Sequence, residues 1–466
     1  MEQSSARGFG GPSLNRYGAL LKNRSFAALI TAGATAFSAP ALILVVLSFS
    51  ITISYPAPVR ASYAALALSF LGLSATIPTL ASAFVSGTLA DRIHRGVLMR
   101  VVNLTGLLAT IGLAIVFIVR PGGDLALPGP AGFYLPIWTV LIYPLYAILI
   151  VGTTIFRPAF NAALPTLVTK DQLSAANGLA YAVAAVLAGV GLFVAGILLT
   201  FYPETWALVL SLGYFVVTQV ALSFVRADLS VRPRSALQSF GTEAVEGYRY
   251  LFRRRELFEL TIAGLLLNFL AAIALVELAL YVVSWLDLTQ GIWYAALAAL
   301  ANAGTAVGFV AIAQFRFERY AGRTIIALTF VMGLFIVGLG VSHTIWLAYP
   351  LIFLFGLAAG MSSTVFLSTV QATVPNEMLG RVFAADEVGS FALIPVGQSA
   401  GGAVTVAAGV QGAYLIAGGG ILAVAFLLVA GFRQLRQFGF DPLPTGTIVP
   451  PPGAMGVATS EPLVEA

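Results

Sequence analysis

The chain has 466 residues, of which 59% are hydrophobic and 9% are charged, and its mean hydropathy is +0.95. A soluble domain carries about a quarter charged residues, so this composition excludes a water-soluble globular protein. The formal net charge of +5 does not indicate nucleic-acid binding, because the basic residues fall in short segments between long apolar runs.

Apolar stretches long enough to cross a membrane as helices, about 20 residues each, recur along the whole chain. We predict twelve of them, six before a long basic connection and six after it. The predicted spans are 26–53, 63–90, 97–119, 134–156, 177–200, 206–225, 257–285, 292–314, 324–341, 346–372, 387–408 and 413–432.

The distribution of charge predicts the orientation of these spans. Of the 24 lysine and arginine residues, all but Arg60 and Arg120 fall in the N-terminus, the C-terminal tail or the even-numbered connections. The positive-inside rule therefore predicts a multi-pass protein of the inner (plasma) membrane with both termini in the cytoplasm. Tryptophan prefers the membrane interface, and every tryptophan lies at a helix end on the opposite, external side. These residues are Trp138, Trp206, Trp285, Trp293 and Trp346.

The same pattern divides the chain into regions. We predict a cytoplasmic N-terminus over 1–25, a six-helix bundle over 26–225 and a linker over 226–256. A second six-helix bundle follows over 257–432, and a disordered, Pro- and Gly-rich tail over 433–466. The linker is predicted to contain an amphipathic helix that lies on the membrane surface and contacts lipids, since apolar residues recur in it at helical spacing.

The connection after the second span reads Gly-Thr-Leu-Ala-Asp-Arg-Ile-His-Arg at 87–95. It resembles the signature of the major facilitator superfamily, with His94 where the signature has a glycine. The resemblance implies an all-α membrane protein with twelve transmembrane helices in two pseudo-symmetric six-helix halves. The segments 161–165 and 371–375, which follow the fourth and tenth spans, are similar to each other, as a duplicated transporter fold would require.

Several further stretches are similar to one branch of the superfamily, which contains macrolide-efflux proteins and the enterobactin exporter. They are 157–165, 173–177, 247–251, 374–378 and 380–383. In the fifth span, Gly191 and Gly196 match the antiporter pattern of that superfamily, but Leu192 occupies its proline position. This departure leaves proton antiport open.

Charged residues at the cytoplasmic helix ends are candidates for a gate. The resemblance implies that a cluster around Asp91 closes the cytoplasmic side when the transporter faces outward. The alternative is that these are loop charges that set topology. The candidates are Asp91, Arg92, Arg95, Arg157, Glu318, Arg319 and Arg381. Asp386 and Glu387 open the predicted eleventh span, where a helix cap is the first interpretation and a gate the second.

Glu277 is the acid that lies deepest in a predicted span, eight residues before Trp285 and therefore roughly 12 Å from the interface. A carboxylate at such depth costs about 2–4 kcal/mol unless it is paired, hydrated or protonated. Tyr281 and Ser284 share its helical face, which predicts a polar stripe towards the central cavity. Glu277 is a candidate proton-binding group or anchor for a cationic substrate. The alternative is a packing carboxyl group bonded to a neighbouring helix.

These residues predict a secondary transporter that works by alternating access and exports a lipophilic or amphipathic molecule, drug-like or siderophore-like, in exchange for protons. An uncoupled facilitator or importer is one alternative, and a non-transporting membrane scaffold or sensor is another. The chain has no phosphate-binding loop, so ATP-driven transport is not expected. It has no cysteine and no metal-binding pattern, so no cofactor, no metal and no enzymatic activity are predicted. We expect a monomer.

Overall fold

The computed structural model describes residues 20–127, 132–168, 173–226, 229, 240–312, 318–374 and 376–439. Within these ranges, side chains are described except at 83–88, 90–92, 173–175, 177–178, 240–245, 247, 310, 318, 371–372, 376–377, 379–381 and 383–392. The fold is almost entirely helical, because a backbone in hydrocarbon must satisfy its hydrogen bonds within its own segment.

The elements fall into a first helix group, α1–α6, a connecting helix α7, and a second helix group, α8–α12. The first group comprises α1 Arg24–Ile53, α2 Ala57–Arg92, α3 Arg95–Val119, α4 Ile137–Ala163, α5 Leu173–Phe201 and α6 Glu204–Ser223. The remaining helices are α7 Phe240–Arg253, α8 Arg255–Val276, α9 Gly291–Ala311, α10 Ala321–Val341, α11 Ile345–Thr373, α12 Asn376–Ala430 and α13 Arg433–Gln437. Among the described residues, 11 helices are long and apolar enough to cross a membrane.

Helix α12 merges the predicted eleventh and twelfth spans into one element of 55 residues. A straight helix of that length would extend about 82 Å, far more than a bilayer core of about 30 Å. Gly409 interrupts it with φ 74° and ψ 172°, a conformation that glycine adopts most readily. The element is therefore two helical stretches on either side of Gly409.

The start of the predicted fourth span is wrong, because Tyr134–Pro136 forms a strand, β2, instead of helix. It pairs antiparallel with β1, Asp124–Ala126, and α4 begins only at Ile137. Proline has no N–H to donate and a fixed φ, so Pro136 suits the position just before the helix. The hairpin brings the Tyr134 ring to 5.7 Å from that of Tyr55.

The tryptophan side chains define one end of the bundle, which we call the Trp end. Arg120 pairs with Glu204 at 3.3 Å and lies 5.1 Å from the Trp138 ring, and Trp293 lies 6.5 Å from Trp346. The hydroxyl group of Thr200 accepts a hydrogen bond from the backbone N–H of Ile292, next to Trp293, at 2.7 Å. The Trp ends of the two helix groups therefore meet. The opposite end, which carries Arg95, Arg157 and Arg319, is the Arg end.

The two helix groups contact each other through α2 with α12 and through α5 with α9. A Cβ atom at Gly402 would overlap the carbonyl oxygen of Ala65 and the hydroxyl group of Ser69, and one at Gly196 would overlap Ala295. Within the second group, Gly356 and Gly360 lie directly against the α9 backbone. The close contacts at Gly402 and Gly196 bring the two groups together towards the Trp end.

A second buried acid, Glu259, lies in the first turns of α8 and was missed because it lies near the start of its predicted span. It is 2% exposed, and its carboxylate accepts hydrogen bonds from Arg255 Nε at 3.1 Å and from the backbone N–H of Leu435 at 3.1 Å. Leu435 belongs to α13, so Glu259 fastens the chain after α12 to the Arg end of α8.

We expect Glu259→Ala to lower the free energy of unfolding by about 1–3 kcal/mol, because it leaves the buried N–H of Leu435 without an acceptor. Thermal unfolding of the purified protein in detergent measures this. Glu256→Ala is the matched control, since Glu256 forms a surface pair with Arg254 and such pairs contribute about 0–1 kcal/mol. Equal melting temperatures for the two variants would contradict the role given to Glu259.

Candidate functional site

The helix that carries Glu277 breaks at this residue. Helix α8 ends at Val276, and Glu277 has φ −82° and ψ 3°, outside the helical range. One helical turn, Leu278–Leu280, follows, and then a π-helix, Tyr281–Trp285, closed by the N–H of Leu286 on the carbonyl oxygen of Tyr281 at 3.0 Å. Short π-helical insertions are rare and frequently mark functional sites.

The side chain of Glu277 is completely buried, with 0% exposure. The hydroxyl group of Thr405, from α12, lies beside its carboxyl group. Within the described part of the chain, neither carboxyl oxygen forms a hydrogen bond or an ion pair, and the Thr405 hydroxyl also lacks a partner. An ionised carboxylate in such a place is costly, so the carboxyl group needs a proton or a ligand.

Two tyrosines complete this site. The rings of Tyr281, in the π-helix, and Tyr414, in α12, lie 4.9 Å apart, and Tyr414 is close to Glu277. Both rings are buried, and both hydroxyl groups are without a partner among the described residues. Glu277, Tyr281, Thr405 and Tyr414 are called the Glu277 cluster below.

The sequence predicted part of this arrangement. Glu277 and Tyr281 do lie together, and the Ser284 hydroxyl is buried without a partner in the described structure. The predicted span does run to Trp285, but it is not a regular α-helix, because of the turn at Glu277 and the π-helix. The carboxyl group is enclosed by protein and does not line an open cavity. Thr405 and Tyr414 were missed, since no local pattern tells which hydroxyl groups of distant spans meet a given acid.

The broken segment touches both helix groups. Leu278–Leu280 contacts α1 and α2 of the first group, and Tyr281–Trp285 contacts α2 and α12. At its end, Trp285 Nε1 donates to the carbonyl oxygen of Ser342 at 2.8 Å, which fixes the segment to the end of α10. A change in the Glu277 cluster can therefore act directly on the contact between the groups.

At the Arg end, two of the predicted gate residues are held by the first group. Arg95 Nη1 donates to the carbonyl oxygen of Ala162, near the end of α4, at 3.0 Å. The Arg157 guanidinium lies 5.0 Å from the ring of Phe37, in α1. Arg319 is exposed in a 3-10 turn, Glu318–Tyr320.

The other gate candidates have side chains outside the described set, so no contact among them is assigned. They are Asp91 and Arg92 at the end of α2, Glu318 in the 3-10 turn, and Arg381 in α12. The prediction that Asp386 and Glu387 cap a helix start is wrong. Helix α12 begins at Asn376, so both residues lie about three turns inside it.

Comparison with known proteins identifies the family. Residues 29–455 match the family described as transmembrane secretion effector, within the major facilitator transporters. The chain belongs to this family. The transporter is also 26% identical over 316 residues to the uncharacterised MFS-type transporter YvqJ of Bacillus subtilis (strain 168), a match that covers 66% of this chain and 72% of YvqJ.

Solved structures of transporters share the fold. The nucleoside transporter NupG matches 87% of the transporter and 99% of its own chain, with a TM-score of 0.63 and 11% identity. The peptide transporter POT, in complex with alafosfalin, matches 88% and 95%, with a TM-score of 0.66 and 14% identity. A bacterial homologue of the lysosomal transporter Spinster, inward-facing and unoccupied, matches 93% and 100%, with a TM-score of 0.61 and 14% identity. The family match, together with the many apolar helices, makes the chain a multi-pass membrane transporter.

Proposed function

We propose that this transporter exports a lipophilic or amphipathic small molecule, drug-like or siderophore-like, in exchange for protons. The observation that carries the proposal is the enclosed carboxyl group of Glu277, which has neither hydrogen bond nor ion pair in the described structure. Such a group holds a proton while it is buried, and it releases the proton when another conformation admits water or substrate. A carboxyl group that alternates in this way couples proton movement to a conformational change.

The proposed mechanism is alternating access of two six-helix halves. The first helix group forms one half, and the second forms the other, with Gly409 dividing α12 into the eleventh and twelfth spans. The Trp end faces the outside and the Arg end faces the cytoplasm, where both termini lie. The glycine contacts of α2 with α12 and of α5 with α9 support a state closed on the outside. The transporter works as a monomer in the inner (plasma) membrane.

The substrate class follows from the charge of the interior. Among the described residues, Glu259 and Glu277 are the buried acids, and no lysine or arginine side chain is buried. Sugars and phosphorylated metabolites call for more polar or basic groups, so this interior suits lipophilic compounds. The direction of transport is supported by the description of the family as secretion effectors and by the resemblance to the macrolide-efflux and enterobactin-exporter branch.

The test is proton release from proteoliposomes that contain the purified transporter and a pH-sensitive dye. Lipophilic compounds are screened, and the expected result is a proton flux that needs both the compound and the protein. Protein-free liposomes with the same compounds are the control for weak bases that carry protons themselves. Compound flux that is unaffected by an imposed pH gradient would leave a transporter but overturn the coupling.

The gate at the Arg end is tested by Asp91→Asn. Removing this charge should impair transport several-fold while the amount of protein in the membrane stays the same, because a gate residue acts on the transport cycle and not on folding. Transport of a compound found in the proteoliposome screen is measured with immunoblotting of the membrane fraction. Full transport by this variant would remove Asp91 from the gate.

A further inference from the structure

The Glu277 cluster contains more oxygen atoms than one proton can satisfy. Both carboxyl oxygens of Glu277 and the hydroxyl oxygens of Tyr281, Thr405 and Tyr414 are buried without a hydrogen-bond partner in the described structure. Each buried polar group without a partner lowers the free energy of unfolding by about 1–3 kcal/mol. A proton on Glu277 shared with the Thr405 hydroxyl beside it would still leave one carboxyl oxygen and the Tyr414 hydroxyl group unpartnered. The concentration of such atoms at one place indicates a ligand.

The chemistry of the cluster selects the class of ligand. Glu277, Thr405 and Tyr414 offer a carboxylate and two hydroxyl groups, which is an all-oxygen set of the kind that hard cations prefer. The titratable side chains around Glu277 are phenols, those of Tyr281 and Tyr414 with Tyr294 near Tyr414, and His343 lies further along against Trp285. No lysine or arginine of the described structure faces Glu277, so the positive charge must come from the ligand.

The location of the cluster favours a small ion. Glu277 and Tyr281 are 0% exposed, Tyr414 1% and Thr405 2%, which encloses the oxygen atoms and excludes a bulky substrate. In addition, Glu277 lies at a helix break, and transporters bind coupling ions such as Na⁺ and H⁺ at discontinuous helices near the middle of the membrane. Sodium is the monovalent hard cation that is abundant outside cells.

We infer that the ionised Glu277 carboxylate binds a sodium ion together with the Thr405 hydroxyl, with the phenol oxygen of Tyr414 completing the site. Sodium and the proton then compete for one carboxyl group. The inference rests on the proposed function, because the same group carries the proton. It adds a second coupling ion, which occupies the site when the proton has left.

The test uses the purified full-length transporter in detergent at constant ionic strength, with NaCl exchanged for KCl or choline chloride. At alkaline pH, we expect NaCl to raise the melting temperature of the wild type saturably by a few degrees, because a ligand that binds only the folded state stabilises it. At acidic pH, the rise should shrink, since protons compete for Glu277. Glu277→Gln should abolish the rise in melting temperature. Thr405→Val should increase the Na⁺ concentration that gives half of the full rise.

Thr329→Val is the matched control. Thr329 is a buried threonine of α10 whose hydroxyl group donates to the carbonyl oxygen of Ile325 in its own helix at 2.8 Å. This variant should keep the full response to Na⁺ whatever its own stability. An equal rise with KCl or choline chloride, no rise in the wild type, or a full rise in Glu277→Gln would each overturn the sodium site.

Failure of this inference can be told apart from failure of the proposed function. Substrate-driven proton release in sodium-free proteoliposomes, together with no response of the melting temperature to Na⁺, would overturn the sodium site and leave the proposed function standing. A sodium response that needs Glu277 would support the site even if no compound released protons, a result that would count against proton-driven export only.

Discussion

We expect Glu277→Gln to lower the rate of substrate-driven proton release at least about tenfold. Exchange of the compound between the two sides of the membrane should persist. The amide has the shape of a protonated carboxyl group, so it fits the enclosed site without a change in packing. The amide cannot give up a proton, however. The variant should therefore pass only through conformations in which Glu277 of the wild type is protonated. Proton release and compound counterflow, measured in the same proteoliposomes, separate these two effects.

Glu204→Gln is the control for this variant. Glu204 also lies in a membrane helix, but at the Trp end, where it pairs with Arg120 at 3.3 Å. Its loss removes a surface ion pair and should leave proton release intact. Proton release by Glu277→Gln at the wild-type rate would show that another group carries the proton.

Gly402→Val is expected to lose most transport, because it destabilises the α2–α12 contact at the Trp end. A side chain at this position overlaps the carbonyl oxygen of Ala65 and the hydroxyl group of Ser69. Overpacking of this kind costs about 1–3 kcal/mol, which changes the ratio of two conformations roughly 5- to 150-fold. The transporter should then favour the state that is open at the Trp end.

The chain has no cysteine, so one introduced thiol reports the state directly. Phe49 is buried and stacks on Tyr294 across the two helix groups, with ring centroids 6.3 Å apart. In a Phe49→Cys background, Gly402→Val should increase labelling by a membrane-impermeant thiol reagent. Gly419→Val, on the other side of Gly409 in α12, is the control, because a Cβ atom there meets nothing within 4 Å. Equal labelling of both variants would contradict the closed contact.

Much of the helical fold is readable from the sequence, because each span must contain an unbroken apolar run of sufficient length. The hairpin before α4 was not predicted by this rule. Tyr134 and Leu135 are as apolar as the helix that follows them, and only their pairing with β1 makes them a strand. The predicted eleventh and twelfth spans leave a gap at 409–412, and the rule does not single out Gly409 within it, since apolar residues lie on both sides.

The candidate site was predictable only through its charge. An acid in an apolar span is rare and costly, which singled out Glu277 without any knowledge of its neighbours. Thr405 and Tyr414 lie more than 100 residues further along the chain, among many similar hydroxyl residues. Helix packing decides which of them meet Glu277. The π-helix was equally hidden, because the residues 281–285 have no composition that distinguishes them from an α-helix.

That π-helix makes the site sensitive to the length of the chain. A π-turn accommodates one residue more than an α-turn in the same span of helix. Deleting a single residue from Tyr281–Trp285 would restore a regular helix and rotate one side of the segment against the other by about 100°. Either Glu277 would turn away from Thr405, or Trp285 would leave the carbonyl oxygen of Ser342. The loss or gain of one codon in this stretch would therefore move the acid to a different helical face and dismantle the enclosed site.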